Sequence, residues 1–505
     1  IQAGIDVFVS PKSTFGILLN AVPGTLLIDN SSSTAIRHKN STTAYRRLDA
    51  KGVADNKRKN NSLNLNYRYA TGNKEFNADA DYAHYNNVND QYQPNYYFDN
   101  NNALLFSRIY HMVSPSDITM YAFKSNYDFD FMAGKLSVGG KYSTIESIND
   151  LKRYDVVPSA EKMDSLRSNA FTYRENIGAG FVRYTKEHKK MVLQLGLRTE
   201  VTSIKGVSNT YRWNGHYQPY DSIFDKNYID LFPSISLTYK RDANHQYSLN
   251  AGRRIDRPAY ADLNPFEFKV DEYVYRKGNT QLRPQYTNQV EVVHIYKNRL
   301  TTILNYSHVK DVFTQIFDTI ELTKSFITKT NVATQDVANI IINYSFQKGR
   351  YSGFINANPF YNRYRSNFGK DRNLHLEAFS YIIKSQQAYK FKKGLVAELS
   401  LLYNSPGIGL GFFKGPGFGS VDVGLSKTFF QNRMSIKAAM SDLFFTNKIK
   451  GTSFFAGQAM VVQRTFEPRL FRLNMAYRFG SSTVKAQRQR RTLLEEENRR
   501  LQSSN

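Results

Sequence analysis

Apolar side chains recur at every second position along most of this chain, and that period decides what it can fold into. Met191, Leu193, Leu195, Leu197 and Val201 share one face, with Gln194, Gly196, Arg198 and Glu200 on the other. Leu63, Leu65, Tyr67 and Tyr69 alternate with Asn64, Asn66 and Arg68. After Thr71-Gly72-Asn73-Lys74 the pattern resumes as Phe76, Ala78, Ala80 and Tyr82 against Asn77, Asp79 and Asp81. Leu395, Ala397, Leu399, Leu401 and Tyr403 repeat it, as do Phe471, Leu473, Met475, Tyr477 and Phe479. Helical spacing is scarce, so the fold class is all-β. Alternation alone would also fit a large soluble sandwich. Two details favour a membrane. The polar face carries Asn, Asp and Arg among small residues, as a wet lumen requires, and the apolar face is flanked by Tyr and Phe, as aromatic girdles are. Strands in lipid must also close on themselves to satisfy their backbone groups. The expectation is a transmembrane antiparallel β-barrel.

Tight polar turns punctuate the alternation at Pro11-Lys12, Gly72-Asn73, Met132-Ala133-Gly134, Glu187-His188, Asp242-Ala243-Asn244, Lys297-Asn298, Gln347-Lys348-Gly349, Lys392-Lys393 and Gln431-Asn432. Longer connections lie between them, for example 23–60, 86–113, 146–171, 205–228 and 256–288. Bacterial outer-membrane barrels turn tightly on the periplasmic side and loop widely outside, which assigns the tight set to the periplasm. These turns join about eighteen strands, and a last one near 460–479 makes about nineteen. Single-chain bacterial barrels have even counts, so about nineteen strands suit an incomplete barrel, three short if the whole has about 22. The chain opens on Ile1 within a strand, with no initiator Met or signal peptide, and is expected to be truncated there. Residues 1–480 are expected to form the barrel and 481–505 a basic periplasmic tail. In that tail Lys485, Arg488, Arg490, Arg491, Arg499 and Arg500 surround Glu495-Glu496-Glu497, at a spacing that suits a short amphipathic helix.

The most specific stretch begins at Leu231-Phe232-Pro233-Ser234-Ile235-Ser236-Leu237 and leads through a hairpin to Arg253-Arg254-Ile255-Asp256-Arg257-Pro258-Ala259-Tyr260. Leu263-Asn264-Pro265-Phe266 and Gly278-Asn279-Thr280-Gln281-Leu282-Arg283-Pro284-Gln285 follow. These residues resemble the barrel of TonB-dependent receptors, in the outer-membrane β-barrel form common in Bacteroidetes, over about residues 1–480. Thr280 stands where that family usually has Pro, and Gln285 where it usually has Glu. Ser441-Asp442-Leu443-Phe444 fits as well, and Tyr477-Arg478-Phe479-Gly480 resembles the family's closing strand with its terminal aromatic. The resemblance implies residence in the cell outer membrane and uptake of a bulky solute. It implies a plug domain ahead of the barrel and a segment pulled by the TonB energising complex, neither of which this sequence contains. A surface lipoprotein or a larger outer-membrane complex is a further implied partner. The alternative function is a scaffold barrel within an outer-membrane assembly or secretion complex.

Composition prunes the other classes. The absence of Cys excludes disulfides, thiolate metal sites and thiol nucleophiles. The formal net charge of +25 admits nucleic acid or an anionic membrane surface as partner. Nucleic acid is set aside, because no reader motif accompanies the basic residues. The nine histidines are scattered and form no HExxH, the Gly-rich run from Gly407 to Gly419 lacks a phosphate loop's Lys-Ser/Thr, and no catalytic constellation stands out. No enzyme activity, metal or cofactor is expected. Carboxylates two apart, Asp79 with Asp81 and Asp128 with Asp130, read as luminal polarity paired with Arg68 or Lys124 rather than as a cation site. Gly278-Asn279 reads as a turn with positive φ. Arg253, Arg254 and Arg257 are expected at the outer rim, either clamping an anionic solute or paired with Asp256, Asp262 or Glu267. In the first long loop Arg37, Lys39, Arg46 and Arg47 are expected to meet lipopolysaccharide phosphates or to be solvated.

Overall fold

The computed structural model describes residues 1–36, 43–211, 217–219, 223–269, 274–321, 324–367, 373–409, 413–455, 458–464, 468–479 and 492–502. Its main sheet has 23 strands, four of which are short side additions, and the remaining nineteen form one antiparallel meander. The first nine are β1 (Gln2–Ser10), β2 (Ser13–Ile36), β3 (Arg46–Thr71), β4 (Lys74–Phe98), β5 (Leu104–Phe131), β6 (Gly134–Val157), β7 (Asn169–His188), β8 (Met191–Tyr211) and β9 (Phe224–Lys240). Next come β10 (His245–Asp256), β11 (Gln285–Tyr296), β12 (Leu300–Glu321), β13 (Lys324–Lys348) and β14 (Tyr351–Asn367). The meander ends with β15 (Asn373–Lys390), β16 (Leu395–Asn404), β17 (Phe418–Phe429), β18 (Met434–Met440) and β19 (Phe471–Tyr477). Among the described residues β1 pairs only with β2 and β19 only with β18. With an odd count these two edge strands run in the same direction, so they cannot join each other as an antiparallel pair.

Register carries the two faces from strand to strand. Ile17 lies opposite Leu65, Leu65 opposite Ala80 and Ala80 opposite Phe123, a row of apolar residues directed at lipid. One face over, Asn66 lies opposite Asp79, and Asp79 opposite Lys124, a row directed inward. A slip of one residue anywhere would exchange the faces, so the burial of one face pins the register. On β12–β15 the outward face shows the membrane zone directly. Tyr344, Phe346, Tyr351 and Tyr389 ring the periplasmic end, with Phe346 5.5 Å from both Tyr344 and Tyr351. Leu304, Ile340, Ile342, Ile355 and Ile383 are exposed between that ring and an outer ring of Tyr306, Tyr361, Phe379 and Tyr381. Directly beyond the outer ring the same face turns charged, with His308, Arg363 and Arg365 converging on Asp336. No helix among the described residues is long and apolar enough to cross a membrane.

The expected tight turns all occur, displaced by two residues at most. Gly72 and Gly349 take φ of +54° and +58°, the region where a Cβ is disfavoured. Lys297 and Asn298 take φ of +49° and +51°, which suits the twist of a two-residue hairpin. The long connections differ from expectation, because most of their length is strand. β5 has 28 residues, or about 90 Å of extended chain, whereas an apolar band is about 25 Å tall. Residues such as Asn56, Asn86, Asn87 and Asn89 read as loop by composition, yet cross-strand pairing keeps them in the ladder far outside the membrane. Two pieces of the Gly-rich run, Gly407–Gly409 and Phe413–Gly415, join Ile449–Phe455 and Gln458–Arg464 in a separate four-stranded sheet, while Gly419 lies in β17. The last strand is therefore shorter than 460–479. In the Ser441-Asp442-Leu443-Phe444 turn, Asp442 is buried and accepts the amides of Thr446 and Asn447 at 3.0 and 3.1 Å.

The core sits on the inner face. Ile118, Met120, Ala122, Ile145, Leu151, Phe171, Tyr173 and Ile204 of β5–β8 form one buried cluster with Tyr260, Leu263, Phe266 and Leu282 from the β10–β11 connection. That connection contains α1 (Tyr260–Leu263). Leu494 completes the cluster, just ahead of α2 (Glu495–Gln502).

Candidate functional site

The β10–β11 connection, expected at the outer rim, folds inward and lies on the wall of β5–β9. Its apolar residues are spaced too irregularly for one helix or strand, and Tyr260, Leu263 and Phe266 all reach the inner cluster. Gly278 enables the fold-back. A Cβ there would lie 2.0 Å from the Asn264 carbonyl oxygen, so close backbone approach, rather than a positive φ, demands the glycine. The Asn279 amide then donates to the Asp262 carbonyl at 2.6 Å, and Lys329 donates to the Asp262 carboxylate at 2.7 Å.

The three arginines of the motif part company. Arg257 is 3% exposed. It donates to Glu200 at 2.7 Å, to the Thr202 hydroxyl at 3.2 Å and to Glu496 at 2.9 Å. Arg253 lies 3.6 Å from Asp230 with its guanidinium 4.6 Å over the Tyr286 ring, while the Tyr286 hydroxyl donates to Asp230 at 3.0 Å. Arg254 is exposed. Two of the three are thus paired inside the protein, with carboxylates different from those expected: Glu200 and Glu496 for Arg257, Asp230 for Arg253. A strand-borne partner and a partner some 240 residues downstream cannot be read from local spacing.

Of the stretch expected to form a basic periplasmic tail, residues 492–502 are described, and they lie against luminal side chains. Asp81 accepts the Thr492 hydroxyl at 2.7 Å and the Leu493 amide at 2.5 Å. Lys141 donates to the Leu493 carbonyl at 2.8 Å and to Glu497 at 3.0 Å. Tyr85 donates its hydroxyl to Asn498 at 2.5 Å. Arg500 pairs with Glu175 at 2.5 Å, donates to the Pro258 carbonyl at 2.9 Å, and places its guanidinium 4.1 Å over the Tyr260 ring. Arg499 reaches Asp256 at 3.1 Å. The segment is held because its charges find buried partners, and burying either partner alone would be expensive. Burial pushes the Glu496 carboxyl up, but Arg257 and Arg500 beside it outweigh that effect and hold it below the usual glutamate range. The arrangement can hold a helix and sort charge along the lumen.

The remaining expectations divide. Arg37 and Lys39 lie outside the described residues. Arg46 and Arg47 stand at the outermost end of β3. Arg46 lies 5.6 Å over the Phe106 ring, and Arg47 pairs with Asp49 at 3.2 Å and lies 4.7 Å over Phe98. Arg68 pairs with Glu75 through two hydrogen bonds of 3.0 and 2.9 Å, rather than with Asp79 or Asp81. Asp81 instead accepts from Asn64 and from the tail. The luminal residues that sequence reasoning missed, Lys141, Glu175 and Glu200, leave one signal. They sit on strands whose inner faces also carry apolar residues.

The profile of the outer membrane protein beta-barrel family matches residues 54–477. The chain belongs to that family. No curated protein sequence matches it. Among solved structures the barrel is similar to a copper transporter, OprC, with 14% identity and a TM-score of 0.55 over 95% of this chain and 79% of that one. It is also similar to BauA, the ferric preacinetobactin receptor from Acinetobacter baumannii, with 11% identity, a TM-score of 0.55 and coverage of 94% and 77%. The ferric yersiniabactin uptake receptor FyuA from Yersinia pestis gives 11%, 0.54 and coverage of 95% and 77%. At such identities the likeness is one of fold, and the fold is that of the outer-membrane receptor barrels. The protein is an outer-membrane β-barrel, and its wall, girdles and outward charged ring are those of a chain seated in the outer membrane.

Proposed function

We propose that this barrel takes up a bulky solute across the outer membrane in a TonB-dependent manner. The outer strand extensions form the capture surface and the lumen forms the path. The observation that carries the reading is the width of the wall. Nineteen strands in one meander, polar on the inner face outside the β5–β8 core, border far more space than the ~8 strands whose own side chains fill a barrel. The named functions of the structures similar to it, copper transport and ferric preacinetobactin reception, support the same reading. In this proposal residues 1–480 act with a plug domain and the TonB energising complex. Arg46 and Arg47, together with Arg37 and Lys39 outside the described residues, are proposed to bind lipopolysaccharide phosphates, and Arg254 is the motif arginine left to meet an anionic solute. A surface lipoprotein is a suitable capture partner for outer extensions of this length. The test is growth of a strain lacking the protein on chelated metals and other large nutrients as sole source, with and without TonB. Loss of growth on one solute, restored by the wild-type gene only when TonB is present, is the expected result. Unchanged growth and unchanged uptake of every labelled solute would overturn the proposal.

A further inference from the structure

The hairpin at the outer end of β6 is fastened at two points, one on each face of the sheet. Past Val157 the chain turns back as a short strand, Ala160–Met163, whose four residues are all exposed. Among the described residues it pairs only with the last residues of β6. On the inner face Asp164 accepts from Arg167 at 2.9 Å and lies 3.9 Å from the buried Arg153, and the Asp164 amide donates to the Arg153 carbonyl at 2.8 Å. On the outer face His111 of β5 stands between two carboxylates. Its Nε2 lies 2.8 Å from Asp90 of β4 and its Nδ1 3.0 Å from Glu161 of the short strand. Tyr92 and Tyr154 flank the imidazole, with ring centroids 6.3 and 5.8 Å away. The alternation also puts Lys152 of β6 on this face, where it pairs with Asp150 at 3.4 Å, and Asp55, opposite Asp90, pairs with Lys57 at 3.2 Å. The cluster stands about 30 Å of extended strand beyond the outward Tyr121, well clear of the membrane band.

A neutral imidazole has one N–H and one lone pair and can satisfy only one of two carboxylates, whereas the imidazolium donates to both. We infer that His111 is a pH-sensitive latch: protonated, it ties the outer hairpin to β4, and on losing its proton it lets the hairpin tip swing away about the Asp164 anchor. The two carboxylates differ in freedom. Asp90 is fixed in the ladder between Asp55 and Val113, while Glu161 rides on four exposed residues, so the tip is the part that moves. Burial opposes charge on the ring, but the hydrogen bonds and charges of Glu161 and Asp90 outweigh it and hold His111 above the ordinary histidine value. The latch's contribution is therefore complete below about pH 6.5 and is lost as pH rises through the raised value. The inner anchor of Arg153, Asp164 and Arg167 has no histidine, so only one of the two fastenings responds. The inference concerns the conformation of the rim and needs neither a solute nor TonB, so it stands or falls apart from the uptake proposal.

The sequence contains no cysteine, so Ala160→Cys, at the exposed tip, gives one site for a spin label in the full chain extracted from outer membranes. The label's mobility is followed from about pH 5.5 to about pH 9, a range that brackets an imidazole. The mobile fraction is expected to rise roughly tenfold, as loss of a charge-assisted hydrogen bond allows, with its midpoint above the ordinary histidine value of about 6.5. His111→Gln in that background is expected to give a mobile label and a flat profile. Glu161→Gln retains a group that can hydrogen-bond either form of the ring, and is expected to leave the label restrained while removing most of the pH dependence. Both side chains lie outside the membrane band, and unaltered heat-dependent gel mobility shows that the barrel remains folded. A mobility that does not change with pH in Ala160→Cys alone, or that changes equally after His111→Gln, overturns the latch. So does a full pH response retained by Glu161→Gln.

Discussion

The wall of β4–β9 and the wall of β14–β18 follow the same alternation and meet different fates. On β16 and β17 the inner face is polar, with Glu398, Ser400, Asn404, Asp422 and Ser426, and none of these is fully buried. On β5 the outward Tyr121 and Phe123 are about half exposed to the lipid side, while the inward Ile118, Met120 and Ala122 are nearly inaccessible. A strand apolar on both faces in a barrel of this kind marks a stretch of wall with something packed on it. Here that layer is the β10–β11 connection and the C-terminal helix. The difference turns one wall into half of a core and leaves the other as a lining.

That contrast can be broken by mutation. The largest effect is expected at Arg257→Ala, which removes the buried cation joining Glu200 to Glu496, leaving Glu200 with Arg198 alone, and costs about 3–5 kcal/mol. It should appear as loss of hydrogen-exchange protection over 257–284 and 492–502, with β14–β18 unchanged. Phe266→Ala removes a ring that is 2% exposed and should destabilise the inward connection by about 3–5 kcal/mol, read in urea titrations in detergent. Gly278→Val, which drives a Cβ into the Asn264 carbonyl, should cost roughly 1–3 kcal/mol and release the connection while leaving strand signals intact. Leu401→Ala on the open wall, a lipid-facing position, should move the same titration by about 1 kcal/mol or less. Were Leu401→Ala to match Phe266→Ala, the distinction between core wall and lining wall would fail.

A pH titration sharpens the contrast without a substitution in the core wall. The Glu496 carboxyl is held below its ordinary value in the docked state, so its contribution to docking is complete above the usual glutamate range and is lost as pH falls through and below it. A spin label at Glu495→Cys should therefore gain mobility on acidification, and Glu496→Gln should remove most of that pH dependence. Equal dependence in both proteins would assign the effect to another carboxylate.

Much of the fold was legible because membrane strands obey few rules. Period two, tight turns such as Gly72-Asn73 and Lys297-Asn298, and girdle aromatics such as Tyr344 and Tyr381 are local signals, and together they yield the nineteen-strand count. The ladder's reach beyond the membrane was not legible. Asn86 and Asn87 carry no strand preference, and only their cross-strand partners keep them extended. The luminal site was legible least. Arg257, Glu200 and Glu496 are ordinary surface residues by type and lie far apart in the chain. Even the tail's Leu494, Glu497 and Arg500, spaced three apart, looked like a weak amphipathic helix with no stated partner.

By itself, then, the amino-acid order determined which face of each strand meets lipid and where each hairpin turns, since both follow from neighbours one or two residues away. Only the tertiary structure decided what packs on the inner wall. That outcome depends on charges brought within 3 Å across hundreds of residues, and on a glycine whose small size matters only once the chain has folded back against Asn264.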